Sequence, residues 1–432
     1  MNPNYPDVYL VDGARSPFIK ARGKPGPFSG ADLAAQVCHA LLARLPLSDR
    51  DIDEVIVGSA INHPDETNVA RVIALRSGLS HHTPAWTVQR NCASGLQALD
   101  SAVQAIQLQR SHIVLAGGTD AMSQGPILYN AQMVNWLADL ALSKTLAAKC
   151  KSFSQFRPSM LKPIIGLLRG LTDPICGLTM GQTAEIIAYD FGIHRTDMDQ
   201  YSIQSHQRLM AAQNAQALEE IIPLYDKQGQ VYLSDEGLRI DTTLEKLAHL
   251  KAAYDKPFGA ITAGNSSQLS DGAAFLILAS ADAVKKHQLP VIAKILDVQW
   301  SGLNPAMMGL GPVHAMVPLL QRNHLALSDI DYFEINEAFA AQILACAKAL
   351  ASSEYCHNHF GTQDACGTLP MDRLNVDGGA IALGHPIGAT GARLVLHLAQ
   401  TLKQRQGRLG IVSICIGGGQ GGAMLIESVN SI

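Results

Sequence analysis

An α/β protein built from two similar halves is what this sequence predicts, and three observations carry the prediction. Short β-prone runs alternate with amphipathic helical stretches, which is the pattern of a parallel sheet covered on both faces. Leu47-Ser48-Asp49-Arg50-Asp51-Ile52-Asp53 is echoed by Leu325-Ala326-Leu327-Ser328-Asp329-Ile330-Asp331, so the second half reads as a copy of the first. Of 432 residues, 47% are apolar and only 16% charged, with many Ala and Gly, which suits helices packed closely on a buried sheet.

Taken in order, Val8-Tyr9-Leu10-Val11-Asp12 is a strand, followed by the turn Gly13-Ala14-Arg15-Ser16-Pro17. A helix from about Ala31 to Arg44 carries Leu33, Val37, Ala40 and Leu41 on one side. Ile52 to Gly58 is a second strand, and an amphipathic helix near Asn68 to Ser77 precedes a third run, Ala85-Trp86-Thr87-Val88-Gln89. A helix follows, with Leu96, Leu99, Val103 and Ile106 recurring at three and four, and then the buried strand Ile113 to Gly118. From about Pro126 to Tyr254 the helical pieces become irregular, and Lys144, Lys149, Lys151, Arg157, Lys162 and Arg169 collect with few acids among them. Met160, Leu161, Ile164, Ile165, Leu168 and Leu171 are expected to form one apolar stripe of a helical cap, facing the protein rather than a docking partner. Met180 to Glu185 starts a clearer helix, and Ala260 to Ala279 returns to the α/β style. In the second half, Gly384-His385-Pro386 opens a helix with Leu394, Val395, Leu398 and Leu402, which leads to the strand Gly410 to Cys415.

Four stretches carry chemistry. In Arg90-Asn91-Cys92-Ala93-Ser94-Gly95, Cys92 stands where a strand turns into a helix, and the free N–H groups of that helix start are expected to favour its thiolate. A small cysteine packing a helix start is the plainer alternative. In Val376 to Gly388, a glycine-dense loop brings backbone close to one imidazole, His385, a candidate base standing in copy two where Cys92 stands in copy one. Cys415-Ile416-Gly417-Gly418-Gly419 sets a second thiol at a strand end, without the following helix and distant acid of a dinucleotide loop. Asn336-Glu337-Ala338-Phe339 offers an amide at a strand-to-helix turn, able to fix a water or an oxyanion, or simply to cap the helix.

Together these stretches resemble the thiolase pattern, from Arg15-Ser16-Pro17-Phe18 to Cys415-Ile416-Gly417-Gly418-Gly419. The run from Gly379 to Arg393, through Gly384-His385-Pro386-Ile387-Gly388, is highly specific when combined with Asn91-Cys92-Ala93-Ser94-Gly95 and Asn336-Glu337-Ala338-Phe339. The resemblance implies a five-layered αβαβα thiolase fold. Its N-terminal domain would comprise residues 1–125 and 260–285, its loop domain 126–259 and its C-terminal domain 286–432. It further implies that Cys92 accepts the acyl group, that His385 takes its proton, and that Cys415 is the second acid/base. Asn336 would hold a water that forms one oxyanion hole with His385, the backbone N–H groups of Cys92 and Gly417 would form another, and Ser267 would contact the pantetheine arm. Coenzyme A is then a substrate, no other cofactor is implied, and the expected assembly is a homodimer or homotetramer.

The expected reaction is thiolytic cleavage of 3-ketoacyl-CoA by coenzyme A in fatty-acid β-oxidation, with acetoacetyl-CoA thiolase as the alternative. Thr179 stands where short biosynthetic relatives usually have His, and the long stretch from Ala131 to Gly177 resembles the thiolases of trifunctional complexes. That stretch is expected to cover the acyl end of the pocket and to present a surface to a partner such as a hydratase/dehydrogenase subunit. Those relatives often carry His where Asn336 stands. A ketosynthase would lack Cys415, and a non-catalytic coenzyme A binding protein would be expected to have lost Cys92 or His385. Cys356, His357, His359 and Cys366 are irregularly spaced, so no metal is expected. A net charge of −4 argues against nucleic acid, and no apolar run reaches membrane-spanning length. Eight cysteines in so long a chain fit a reduced compartment, and with no secretory signal a cytoplasmic location is expected.

Overall fold

A computed structural model describes residues 5–61 and 63–429. Its centre is one sheet of nine main strands: β1 (Val8–Arg15), β2 (Glu54–Gly58), β3 (Ala85–Val88), β4 (Ile113–Ala121), β5 (Ser270–Ser280), β6 (Ala293–Gly302), β7 (Tyr332–Ile335), β8 (Leu409–Ile416) and β9 (Gln420–Ser428). They lie in the order β7-β8-β9-β6-β1-β5-β4-β2-β3. The two halves meet where β1 pairs antiparallel with β6, through Val8–Ile295, Tyr9–Lys294 and Leu10–Ala293.

The internal copy foreseen from the sequence is present in detail. In each half a short strand runs parallel to a longer one, β2 with β4 and β7 with β8. That longer strand is antiparallel to a third, which is antiparallel to a fourth. Asp53 accepts the N–H groups of His112 and Ile113 at 2.6 and 2.9 Å, and Asp331 accepts those of Arg408 and Leu409 at 2.7 and 2.9 Å. The register slips at Asp12 in β1 and at Asp297 in β6, and each of these aspartates pairs with an arginine, Arg44 at 3.0 Å and Arg322 at 2.8 Å.

Burial decides the layering. The helices Ser94–Gln107 and Ile387–Gln404 are apolar towards the sheet of both halves, and they share one core with β4, β5, β8 and β9 that includes Leu96, Leu99, Val103, Leu394, Val395, Leu398, Val114 and Val412. A second core lies outside the first half under Gly30–Leu42, and a third outside the second half under Gly311–Arg322 and Ala340–Leu350. Helix, sheet, helix, sheet, helix is therefore the sequence of layers. Glycines let the two central helices touch at their starts, since a side chain at Gly95 would run into the Gly388 carbonyl and one at Gly391 into the backbone of Leu96.

Arg15 is fully buried and reaches from the first half into the excursion between β4 and β5, bonding Asp235 at 2.8 and 3.0 Å and Glu220 at 3.2 Å. The stretch expected to carry one apolar stripe is not one helix. It divides into a turn Pro158–Leu161, a two-residue strand Ile164–Ile165 paired with Ile127–Leu128, and a short helix Gly166–Gly170. Pro158 and Pro163 have no N–H to continue a helix across it. Leu161, Ile165 and Leu168 are exposed, against the inward-facing expectation, whereas Leu171 is partly buried and faces a cavity. Among the described residues no helix is long and apolar enough to cross a membrane.

Candidate active site

A cavity of about 390 Å³ opens between the ends of the central strands and the excursion, with Cys92 on its wall. Asn91 adopts φ +44°, which turns the chain sharply from β3 into the helix Ser94–Gln107 and leaves Cys92 half-buried just ahead of its first turn. Around the sulfur the wall is mixed: Gln89, Asn91, Gly417 and Gly418. Towards the excursion it becomes apolar through Pro126, Leu167, Leu171, Ile175 and Met180.

The Gly417 peptide is held for use from both ends. Its carbonyl accepts from Asn91 Nδ2 at 2.8 Å, and its N–H lies near the Cys92 sulfur together with the N–H of Cys92 itself. The turn needs glycine here, because Gly418 and Gly419 take φ +94° and +76° to reverse β8 into β9. Those N–H groups favour a thiolate, but burial outweighs them and Asp120 adds to it, so the Cys92 thiol is pushed up rather than down. The expectation from the helix start is thus corrected. Removing water around the sulfur penalises the anion more than two peptide dipoles help it.

His385 follows Gly384 (φ +111°) and precedes the helix Ile387–Gln404, as Cys92 precedes its own helix. Thr390 Oγ1 lies 2.6 Å from His385 Nδ1 and 2.9 Å from the Pro386 carbonyl; with its hydrogen on Pro386 it accepts from Nδ1, the arrangement that puts the imidazole proton on Nδ1 and makes Nε2 the base. Nε2 is left with a free lone pair, buried and unpartnered. Burial, with Arg393 next in effect, lowers the imidazole to about 4, so it is neutral at pH 7 and able to accept a proton.

Cys415 ends β8 almost fully buried, and burial together with the neighbouring Cys92 pushes its thiol well up. Asn336 follows β7 in parallel register with β8, one residue past the Ile335–Ser413 pair. It is not a helix cap, since Phe339 holds that position for Ala340–Leu350. Its side chain is fully buried with neither amide atom bonded to protein, which is what a site for a bound water requires. The adjacent Glu337 has the opposite character. It accepts from Tyr201 at 2.8 Å, Ser205 at 2.7 Å, Asn375 at 3.0 Å and the Ile381 N–H at 3.2 Å, binding the glycine-dense loop to the helix Arg195–Asn214. Ser267 is half-buried, and its N–H donates to the Ala338 carbonyl at 3.0 Å.

Cys92 and Gly417 line the cavity directly, Cys415 lies close to Cys92, and the touching helix starts bring the His385 turn to the Cys92 turn. Sequence reasoning missed Thr390, Asp120 and the lining residues Ala60, Ile61 and Asp173. Asp120 did carry a signal, as an acid near the end of a strand whose first six residues, Ile113 to Gly118, are all apolar or glycine. Thr179 caps the helix Met180–Asp190 reciprocally with Gln182. Cys356 is buried and accepts the Cys366 N–H at 3.4 Å, while His357 is tied to the Thr362 carbonyl and His359 stacks on Tyr355. Among the described residues no three His, Cys, Asp or Glu side chains gather as a metal would need.

Comparison with known proteins matches residues 8–282 to the family model "Thiolase, N-terminal domain" and residues 289–428 to "Thiolase, C-terminal domain". The chain is 36% identical over 428 residues to the trifunctional enzyme subunit beta, mitochondrial, of Bos taurus, covering 99% of this chain and 89% of that protein. It is 38% identical to the 3-ketoacyl-CoA thiolase, mitochondrial, of Rattus norvegicus, covering 98% of each. Among solved structures, human mitochondrial 3-ketoacyl-CoA thiolase in complex with CoA superposes with a TM-score of 0.85 at 36% identity, over 98% of both chains.

Proposed function

The chain belongs to the thiolase family, and from that premise we propose that it cleaves 3-ketoacyl-CoA with coenzyme A, yielding acetyl-CoA and an acyl-CoA shortened by two carbons, in fatty-acid oxidation. The observation that carries the substrate class is the cavity of about 390 Å³ beside Cys92, whose side towards the excursion is apolar and so suits a hydrocarbon acyl chain.

The chemistry follows from the groups in place. His385 Nε2 takes the Cys92 proton as the sulfur attacks the 3-keto carbon, so thiolate forms only when its charge is being passed on. Negative charge on the keto oxygen falls within reach of the Cys92 and Gly417 N–H groups. The C2–C3 bond breaks, the acyl group stays on Cys92, and the departing acetyl-CoA enolate takes a proton from Cys415. Its oxygen is stabilised by a water on Asn336 and by the now protonated His385. Cys415 then deprotonates incoming coenzyme A, whose sulfur attacks the acyl carbonyl carbon; the bond to the Cys92 sulfur breaks, and the released thiolate takes back the proton held by His385. Coenzyme A is the only cosubstrate required, and Ser267 contacts its pantetheine arm.

A homodimer or homotetramer, with a hydratase/dehydrogenase subunit as further partner, is part of this proposal; near full-length similarity to a trifunctional enzyme subunit beta supports assembly with other subunits. Eight free cysteines support a reducing location, the cytoplasm in this proposal. Thiolysis rates across 3-ketoacyl-CoA chains of increasing length test the function. Activity confined to acetoacetyl-CoA would replace it by the short-chain alternative. Quenched incubation with acyl-CoA and peptide mapping test the roles: the acyl group belongs on Cys92, in Cys415→Ala as in the unsubstituted protein, and its recovery from Cys415 would reverse the assignment.

A further inference from the structure

Four hydrogen-bond donors from two separate stretches converge on the carboxylate of Asp120 at the end of β4, and no step proposed above uses it. Ser59 Oγ and the Ile61 N–H donate to Oδ1, each at 2.9 Å. The Ala60 N–H reaches both oxygens, at 3.1 and 3.2 Å, and the Gly388 N–H donates to Oδ2 at 2.5 Å. Ala60 and Ile61 are wall of the cavity that holds Cys92, and Gly388 lies in the first turn of the helix that follows His385. Asp120 is 1% exposed. A carboxylate alone suits this place, because it accepts on both oxygens and offers no competing donor, and because its charge favours a helix N-terminus.

We infer that Asp120 is a positioning residue for the thiolase reaction: it sets the Cys92 sulfur against the His385 imidazole by tying the Ser59–Ile61 turn to the first turn of the histidine's helix. The inference rests on the roles given above to Cys92 and His385. Position is gained against electrostatics, since the Asp120 charge raises the Cys92 thiol. Cys415 faces Cys92 from the end of β8, and His63 and Glu66 face Asp120 across a small polar cavity. The two effects of the carboxylate therefore oppose each other and can be read apart.

Asp120→Asn keeps the size of the side chain but not its acceptors. Turned one way its NH2 meets the Gly388 N–H, and turned the other way it meets Ser59, Ala60 and Ile61. The expected result is a fall in kcat, counted per Cys92 alkylatable by iodoacetamide, of about ten- to hundredfold, with KM for coenzyme A nearly unchanged. In the same variant, alkylation of Cys92 in the free enzyme becomes faster at neutral pH and its pH midpoint moves down, because a negative charge has left. Partial unfolding would also relieve the burial that raises this thiol, so alkylation is read by peptide mapping: in the folded variant Cys92 reacts faster while the buried Cys38 and Cys346 stay protected, whereas unfolding bares them too. Ser59→Ala removes a single donor and keeps the backbone contacts, so it serves if Asp120→Asn does not fold, and it lowers kcat by about two- to fivefold without moving the alkylation midpoint. A kcat per site in Asp120→Asn within about twofold of the unsubstituted protein overturns the assignment, as does an unchanged kcat in Ser59→Ala when Asp120→Asn does not fold. An unsubstituted protein that cleaves no 3-ketoacyl-CoA refutes the proposed function instead, and that outcome is distinct from an active protein matched by its variants.

Discussion

Thr390→Val removes the group that keeps the proton of His385 on Nδ1. In the native site Thr390 Oγ1 lies 2.6 Å from Nδ1 and donates its own hydrogen to Pro386 at 2.9 Å, so Nε2 remains a base. Valine has the same shape and no acceptor. Nε2 is buried and unbonded as well, so neither tautomer then has a protein partner for its N–H, and the preference of about 0.5–1.5 kcal/mol that the Thr390 hydrogen bond gives to Nδ1–H is lost. The ratio of the tautomer able to take the Cys92 proton to the other falls by a factor of roughly 2 to 13, and the acylation rate falls by no more than that. Single-turnover acylation with a 3-ketoacyl-CoA measures this directly, and KM for coenzyme A should stay put. Losing the bond to Pro386 also lowers stability by about 1 kcal/mol, so thermal unfolding has to be recorded beside the kinetics. Thr390→Ser restores the hydroxyl and should recover most of the rate. Acylation by Thr390→Val at the native rate, or an equally slow Thr390→Ser, would refute the tautomer argument.

Asn336→Ala should reduce kcat by about 10²- to 10³-fold while leaving stability level or slightly higher, since neither amide atom is bonded to protein; a clear loss in chemical denaturation would contradict this. His397 is buried among Glu220, Asp377 and Glu334 and is raised to about 10, so its charged pairing contributes stability that is complete below its ordinary value near 6.5 and lost as pH rises through about 10. His397→Gln should cost about 3–5 kcal/mol and flatten the alkaline fall in Tm, and an unaltered Tm–pH curve would show that the proton is held elsewhere. Leu168→Asp, at an exposed position, should change stability by no more than about 0.5 kcal/mol, whereas Leu171→Trp should fill the cavity and move the thiolysis profile towards short chains. Identical chain-length profiles for these two variants would detach the excursion from substrate selection.

The halves and their strands were legible because they depend on local pattern. A continuous apolar run marks β4 and apolar spacing of three and four marks the helix Ile387–Gln404, and the echo around Asp53 and Asp331 reflects a real pair of matching hydrogen-bonded turns. Cys92, His385, Cys415 and Asn336 could be singled out because each stands at the end of a strand or the start of a helix, His385 and Cys415 in glycine-rich runs. The sign of the Cys92 shift could not, because burial is a sum over neighbours distant in the chain. Asp120 and Thr390 were missed for a related reason: their importance lies in which donors reach them, and Gly388 and Asp120 are 268 residues apart. The Met160–Leu171 stripe failed because Pro163 and two glycines, Gly166 and Gly170, divide a stretch whose apolar spacing alone suggested one helix.

The strand order also constrains how the chain comes together during synthesis. β5 lies between β1 and β4, yet it is made only after the whole excursion has emerged, so the first half cannot close its sheet before Ser280 is available. The second half has no such gap, since β8 and β9 are joined as a hairpin and β6 precedes them within the same segment. Even a closed first half leaves the helix after Cys92 bare along one side, because Leu394, Val395 and Leu398 arrive near the end of translation. The nucleophile's own support is thus the last part of the molecule to be covered, and a nascent chain released short of about residue 400 would expose an apolar helix face with a free thiol at its tip.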